Sequence, residues 1–394
     1  MHQSHHLQKI ERSRSHRGSV LVLAAVLLLL PVSLFAANVT IPTFQLLTRG
    51  ILEGGQFTLQ TAGRVEIAFG GGYKFGGLLS LALSGDNLEQ AIAAGDTYDA
   101  DEIEALLDRT LRFQSAGVIV RDTFGLPFDT TYFIGEVDRL LNGDVFPEQF
   151  GTDIIASDFS GLLYFPTGVV YNGVHAIDGT GIALSTTLRQ SIFLQGSIYQ
   201  DAFLGPGRYS TDIRAAFNTP AFKAETFVGA SFPAAAYGIY RAGVLLFYDT
   251  GQGAEILTQL GIPRWAPVTD GPLSIDDFFF LFEPRVHIGF MSIVLTLFWH
   301  PEYYLQEATD ERGATDIVVR LIAGDVQQNP VSGGLETGVT LRPESTEEQL
   351  RVSVAPFVSL NASGVIWDIK ANVKVFPFTM DDLLEAYIGI RTEF

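Results

Sequence analysis

The sequence predicts an all-β protein: one transmembrane antiparallel β-barrel of about sixteen strands, with fourteen to eighteen open, and a short helical insertion at 86–110. Three observations point there. Apolar and polar residues alternate with a period of two in run after run. The runs are mostly about 9 to 14 residues long, close to the ~9–11 that a tilted strand needs to cross a bilayer and longer than the ~5–6 of soluble sheets. The chain is also hydropathic, at a mean of +0.24, yet after residue 37 it writes no run of about 18 apolar residues, which a spanning helix requires. Apolar side chains without such a helix are packed in a core or shown to lipid on alternate strand positions.

Taken in order, residues 1–37 read as a secretory signal peptide. Lys9, Arg12, Arg14 and Arg17 stand against Glu11 alone, the apolar run from Ser19 is broken by Pro31, and Ala36-Ala37 supply a small-residue exit. The barrel is then expected over 38–394. The chain has no cysteine, so neither a lipid anchor at the cut nor a disulfide framework is available. Its formal charge is −19, and about −22 once the basic leader is removed. That excludes nucleic acid as a partner, because phosphate binding needs a basic stripe.

Residues 38–55 leave two options, a further strand at 39–50 or a short plug in the lumen. From Gln56 to Gly70, Phe57, Leu59, Val65, Ile67 and Phe69 oppose Thr58, Gln60, Arg64 and Glu66; the glycines at 70–72 then turn into a strand with Lys74, Gly76, Ser80 and Ser84 on its polar face. Residues 85–110 break the period. Asp86 with Glu89 and Asp99 with Glu102 fit capping boxes, and Ile103, Leu106 and Leu107 follow helical spacing. The acids there lack the ligand-and-glycine spacing of a calcium loop, so the segment predicts caps and solvation; no metal or cofactor is expected. Further strands are expected at 111–121, 126–136, 157–165, 179–187, 190–199, 207–218, 221–232, 237–248, 277–286, 288–299, 316–324, 333–342, 348–359, 364–377 and 383–394. Tyr209, Thr211, Ile213 and Phe217 against Ser210, Asp212 and Arg214 show the rhythm well, as do Trp367, Ile369 and Val373 against Asp368, Lys370 and Lys374.

The last run, Leu383 to Phe394, is amphipathic and stops on an aromatic residue. It resembles the closing strand of Gram-negative outer-membrane β-barrels of the porin-like kind. The resemblance implies an outer-membrane location, contact with outer-membrane lipid, and Phe394 as the assembly signal read by the barrel assembly machinery. Counting back from a final strand that ends inside, the connections at 85–110, 249–276, 300–315, 343–347 and 378–382 are expected outside, and 233–236, 325–332 and a turn near 360–364 inside. Long outside and short inside is the asymmetry expected of such barrels.

Arg64, Glu66, Lys74, Asp212, Arg214, Glu283, Arg285, Arg351, Asp368, Lys370 and Lys374 are expected to line a pore. No GxSxG, HExxH or Walker motif is present, and Glu283, Arg285 and His287 read as lumen polar residues, so no enzyme is expected. The function predicted is passive diffusion of small solutes, weakly cation-selective because the outer connections are acidic. A transporter of hydrophobic substrates of the fatty-acid type and a structural or adhesin barrel are the alternatives. The sequence leaves open monomer or homo-oligomer.

Overall fold

In the computed structural model of the protein, residues 37–53, 56–72, 74–85, 111–153, 155–157, 173–232, 238–304, 307–308, 312–326, 329–343, 348–379 and 383–392 are described. The strands are β1 (Ala37–Glu53), β2 (Gln56–Gly71), β3 (Phe75–Gly85), β4 (Leu111–Val120), β5 (Asp129–Leu140), β6 (His175–Leu188), β7 (Ile192–Asp201), β8 (Tyr209–Asn218), β9 (Phe222–Phe232) and β10 (Ile239–Asp249). They continue with β11 (Ala254–Trp265), β12 (Phe279–Ile288), β13 (Met291–Trp299), β14 (Tyr303–Tyr304), β15 (Glu307–Ala308), β16 (Thr315–Ala323), β17 (Val331–Leu341), β18 (Leu350–Ala362), β19 (Val365–Phe376) and β20 (Leu384–Thr392). β14 and β15 form a small hairpin of their own; all the others belong to one 18-stranded sheet. Each strand of that sheet pairs antiparallel with its neighbour in the chain, and β1 also pairs with β20, from Phe44↔Thr392 to Ile51↔Glu385. The sheet therefore closes on itself as a barrel, as expected, with eighteen strands, the upper end of the fourteen to eighteen left open and two more than sixteen.

Two strands account for much of the difference. β1 occupies the stretch left open as a plug, and β11 lies inside 249–276, which was expected to be one long connection. The expected strand at 157–165 falls outside the described residues except for Ser157, which is irregular. The leader, the helical insertion at 86–110 and Phe394 also lie outside them. With β11 in place the connections alternate between two ends, and the longest of them gather at one. At one end are 72–74, 121–128, 189–191, 219–221, 250–253, 289–290, 324–330 and 363–364. At the other are 86–110, 141–174, 202–208, 233–238, 266–278, 300–314, 342–349 and 377–383, together with the two-residue link at 54–55. By this alternation the connection at 233–238 lies at the end of the longest connections, not with the turns at 325–332 and 360–364 as expected.

Facing follows the alternation. On β8, Ile213 is 57% exposed and Phe217 40%, while Asp212 and Arg214, on either side of Ile213, are 2% and 3% exposed. On β19, Trp367 and Ile369 are exposed and Asp368 and Lys370 buried. The wall is apolar outside and charged inside, the reverse of a water-soluble barrel.

One hairpin leaves this wall. β4 pairs with β5 only from Val120↔Thr130 to Ser115↔Gly135, and β6 pairs with β7 only from Gly179↔Asp201 to Leu188↔Ile192. Beyond Gly135↔Gly179, β5 and β6 pair with each other, through a bulge between Glu136 and Asp138, as far as Leu140↔His175. Both glycines have positive φ, +92° and +153°, and a Cβ there would lie 2.1 Å from Gln114 O and 1.9 Å from Gln200 O. Only glycine fits such a backbone pressed against a neighbouring strand. The tip turns into the barrel. His175, Ala176 and Ile177 are buried in succession, which a wall strand with one face to lipid does not show. The following segment, with a short helix at Val145–Phe150, builds an apolar core inside the barrel. Leu141, Val145, Phe146 and Ile155 belong to one buried cluster with Phe227, Leu245, Leu257, Phe279 and Phe298. Burying side chains of this size contributes roughly 1.5–3 kcal/mol each, which offsets the wall hydrogen bonds the hairpin gives up.

Candidate functional site

The interior divides into two sectors. In the first, β7 to β12 carry polar groups that hold the inward hairpin. Asp138 on β5 accepts two hydrogen bonds from Arg214 Nη1 on β8, both at 2.9 Å, and Arg214 Nε lies 2.8 Å from Glu225 on β9. Glu225 also accepts the Leu141 N–H at 2.8 Å, and Gln259 on β11 donates to Leu141 O at 2.9 Å. Further along, Glu283 on β12 accepts from Ser157 at 2.7 Å and from Thr296 at 2.6 Å, and Arg285 donates to Ala156 O. Beside this runs a second network: Asp212 accepts from Arg241 at 2.6 and 2.8 Å and from Tyr199 Oη at 2.8 Å, and His175 Nε2 stands 3.1 Å from the same hydroxyl. Charges taken out of water need this many partners, since an unpaired buried charge is costly.

The second sector, β16 to β20 with β1, is a ladder of alternating charge. Glu336 on β17 receives Arg320 from β16 and Lys370 from β19, each at 2.8 Å. Lys370 reaches across β18, where Ala355, the register partner of Glu336, leaves room above its methyl group. Asp368 accepts from Arg391 at 2.8 Å and from Ser359. Glu385 pairs with Arg49 on β1 and accepts from Tyr387 at 2.7 Å and Asn372 at 3.1 Å. Lys374 is 3.9 Å from Glu348.

Of the residues expected to line a pore, Asp212, Arg214, Glu283 and Arg285 lie in the first sector and Asp368, Lys370 and Lys374 in the second. Arg351 is half-buried on the inward face of β18. Lys74 is exposed in the turn before β3, because that strand begins at Phe75. Arg64 and Glu66 are on β2, and their side chains lie outside the described residues. Arg241, Arg320, Glu336, Glu385 and Arg391 join the networks without having been singled out; each shares the inward parity of its strand, so alternation was the signal available. His287, read as a lumen polar residue, has its Nδ1 2.8 Å from Ser292 Oγ on the paired strand; Glu255 stands 3.7 Å from both His287 and Arg285, a mixed ion-pair cluster at the short-turn end.

Two carboxyls of the connection after β5 are perturbed. Surrounding protein raises Asp144 above the ordinary carboxylate range, with Asp138 adding to it. Glu148 is pushed up to about 7, first by desolvation and then by Asp138 and Asp144, with Arg214 opposing. Both side chains still reach water, which softens the effect.

No protein-family model matches the chain, and no curated protein matches its sequence. Solved structures do match. Pseudomonas aeruginosa OccK11 (OpdR) is 9% identical, with a TM-score of 0.50 over 91% of this chain and 95% of that one. Pseudomonas aeruginosa OccK8 (OprE) is 8% identical, with a TM-score of 0.50 over 91% and 97%. Pseudomonas aeruginosa OpdO is 10% identical, with a TM-score of 0.50 over 91% and 96%. These neighbours are outer-membrane porins. At such identities the likeness is one of fold, and it bears out the all-β barrel and the porin-like resemblance of the sequence.

Proposed function

We propose that the protein is an outer-membrane channel for passive diffusion of small polar solutes. The single observation that carries this is a closed barrel wall, apolar outside, whose inner face in β16–β20 and β1 is a continuous ladder of paired charges. Such a ladder wets a lumen and sets a field across it that favours small polar and dipolar solutes. The apolar core on the inward hairpin occupies the opposite side, so the route is proposed to pass the ladder where Arg49, Arg351 and Arg391 stay partly exposed. The long connections face outward and the short turns inward in this reading, and the acidic connection at 86–110, about −7 by its residues, gives weak cation selectivity at the mouth. The role is transport without chemistry. Purified protein refolded into a planar bilayer tests it: discrete current steps in KCl are expected, and a silent, folded barrel overturns the reading in favour of a structural one.

A further inference from the structure

We infer that a pocket at the long-connection end of the first sector binds small solutes that carry a phosphoryl group. The inference names a solute class for the channel proposed above and rests on that reading. The pocket lies between the connection 202–208 and the ends of β9, β10 and β11, and its volume is about 100 Å³. One water needs ~10–15 Å³ on such a measure, so a phosphoryl group with a short carbon chain has room. Phe203, Leu204, Ile239 and Pro263 give it an apolar wall; Ser231, Arg241 and Arg264 give it polar groups.

A bulge in the wall aims the cations. β10 and β11 pair regularly from Asp249↔Glu255 to Ala242↔Ile262, and then at Tyr240↔Trp265, so Pro263 and Arg264 together oppose Arg241. Alternation alone would send Arg264 to the lipid side with the exposed Ile256 and Leu260. The extra residue re-aims it into the pocket beside Arg241.

Both guanidinium groups have donors to give. Arg264 is half-buried, with its guanidinium carbon 4.0 Å from the centre of the Tyr303 ring. Among the described residues it has no ion pair and no hydrogen-bond acceptor. Stacking leaves the N–H edge of the group open, and a cation drawn partly out of water favours an anionic partner. Arg241 is 4% exposed. Its Nε and Nη2 serve Asp212 and Tyr199, and its Nη1 gives one hydrogen to Ser231. The second hydrogen on Nη1 is uncommitted, beside the pocket wall that Ser231 forms. Asp201 spends its oxygens on the Phe203 and Leu204 N–H groups and on Ser210. A carboxylate has both oxygens in one plane and is filled by a single guanidinium fork. A tetrahedral phosphoryl group meets donors that come from two strands. Such a site selects by direct contact and is separate from the weak cation preference that an acidic mouth gives to simple salts.

Butyl phosphate is the probe. The refolded full-length protein is treated with phenylglyoxal at constant ionic strength, and modification of each arginine is read by peptide mass mapping. Arg264 is expected to react about fivefold more slowly when butyl phosphate stands at about four times its dissociation constant, while the exposed Arg208 is unaffected. Equal slowing at both positions, or none at Arg264, overturns the inference. Butyrate is expected to protect much less; equal protection by butyrate overturns the phosphoryl assignment. Ile239→Trp fills the pocket and keeps both arginines, so protection is expected to vanish while Arg264 still reacts. Leu204→Trp stands in if that variant does not fold, and protection that persists in a filled pocket also overturns the site. KCl current steps from the same protein read the channel proposal separately. A silent barrel that still shields Arg264 removes the channel and leaves the site; a conducting barrel that does not shield it removes the site alone.

Discussion

Asp138 on β5 holds Arg214 on β8 through both carboxylate oxygens, three strands away around the barrel. A contact of that reach exists only because the end of β5 has left the wall, and it pins the hairpin where it narrows the lumen. Asp138→Asn is expected to loosen this seat by about 1.5–3 kcal/mol, the worth of a hydrogen bond to a charged group. Amide exchange at Leu140 and Leu141 is expected to quicken tenfold or more, and single-channel current to become noisier. The double change Asp138→Leu with Arg214→Met is expected to be the harsher one, since Arg214 also holds the fully buried Glu225, whose charge is then stranded. Unchanged exchange in Asp138→Asn would show that the apolar cluster alone seats the hairpin.

Acid is expected to tighten the same seat. Glu148 has a docked-state value of about 7, above the ordinary carboxyl value, so docking binds a proton. Its favourable contribution is complete below about pH 4.5 and is lost as pH rises through about 7. Exchange protection of 140–150 is expected to be greater at pH 5 than at pH 8, with Glu148→Gln flattening the difference. Asp144 shifts in the same direction and leaves a smaller residual slope in that variant. A slope of the opposite sign refutes the assignment.

Facing on β18 makes a paired prediction. Val354→Arg puts charge on the lipid side and is expected to cost ~2–4 kcal/mol near the bilayer midplane, whereas Ser353→Arg on the lumen side costs much less. Urea titration of both variants in lipid vesicles checks it, and equal midpoints would reverse the facing.

Selectivity is expected to come from the mouth. Replacing Asp96, Asp99, Asp101 and Glu102 with their amides is expected to lower cation preference without closing the pore, and the preference of the parent is expected to fade as salt rises and the ~10 Å Debye length at 0.1 M shrinks. Reversal potentials in a KCl gradient at low and high salt read both. A preference indifferent to salt and to these changes assigns selectivity to the ladder instead.

Deletion of Phe394 is expected to reduce assembled barrel in the membrane severalfold, measured by heat-modifiable migration; normal assembly would remove the terminal aromatic from any signalling role.

The strands that could be read from the sequence are those whose inner side faces water or charge. β8 and β19 alternate because one side meets lipid and the other the ion pairs. β11 escaped because both its sides are apolar in places: Ile256 faces outward, while Leu257 beside it is buried against the interior cluster. The period vanishes where the inward segment supplies a second apolar environment. β1 was obscured similarly, by Leu46-Leu47 and Ile51-Leu52. The hairpin tip left a trace, a cluster of apolar residues from Leu140 to Phe146 in what read as a connection, but nothing local says which wall it packs on. Charge partners such as Arg320 and Lys370 on Glu336 are set by register across four strands, β16 to β19, which one-dimensional spacing does not encode.

The pairing of β1 with β20 gives the wall a seam. Around the rest of the ring, neighbours in the chain are neighbours in space, so those contacts close short loops and form cheaply. The seam joins Arg49 to Glu385, 336 residues apart, and is the slow, topologically distant step of assembly. Both strand ends at the seam point to the short-turn end, Ala37 entering there and Thr392 leaving there. A circular permutant that links them with a short flexible bridge and opens the chain at 219–221 would keep every wall pair while moving the seam to β8 and β9. Its assembly rate, against that of the parent, would measure how much of the folding barrier belongs to where the ring is closed rather than to the ring itself.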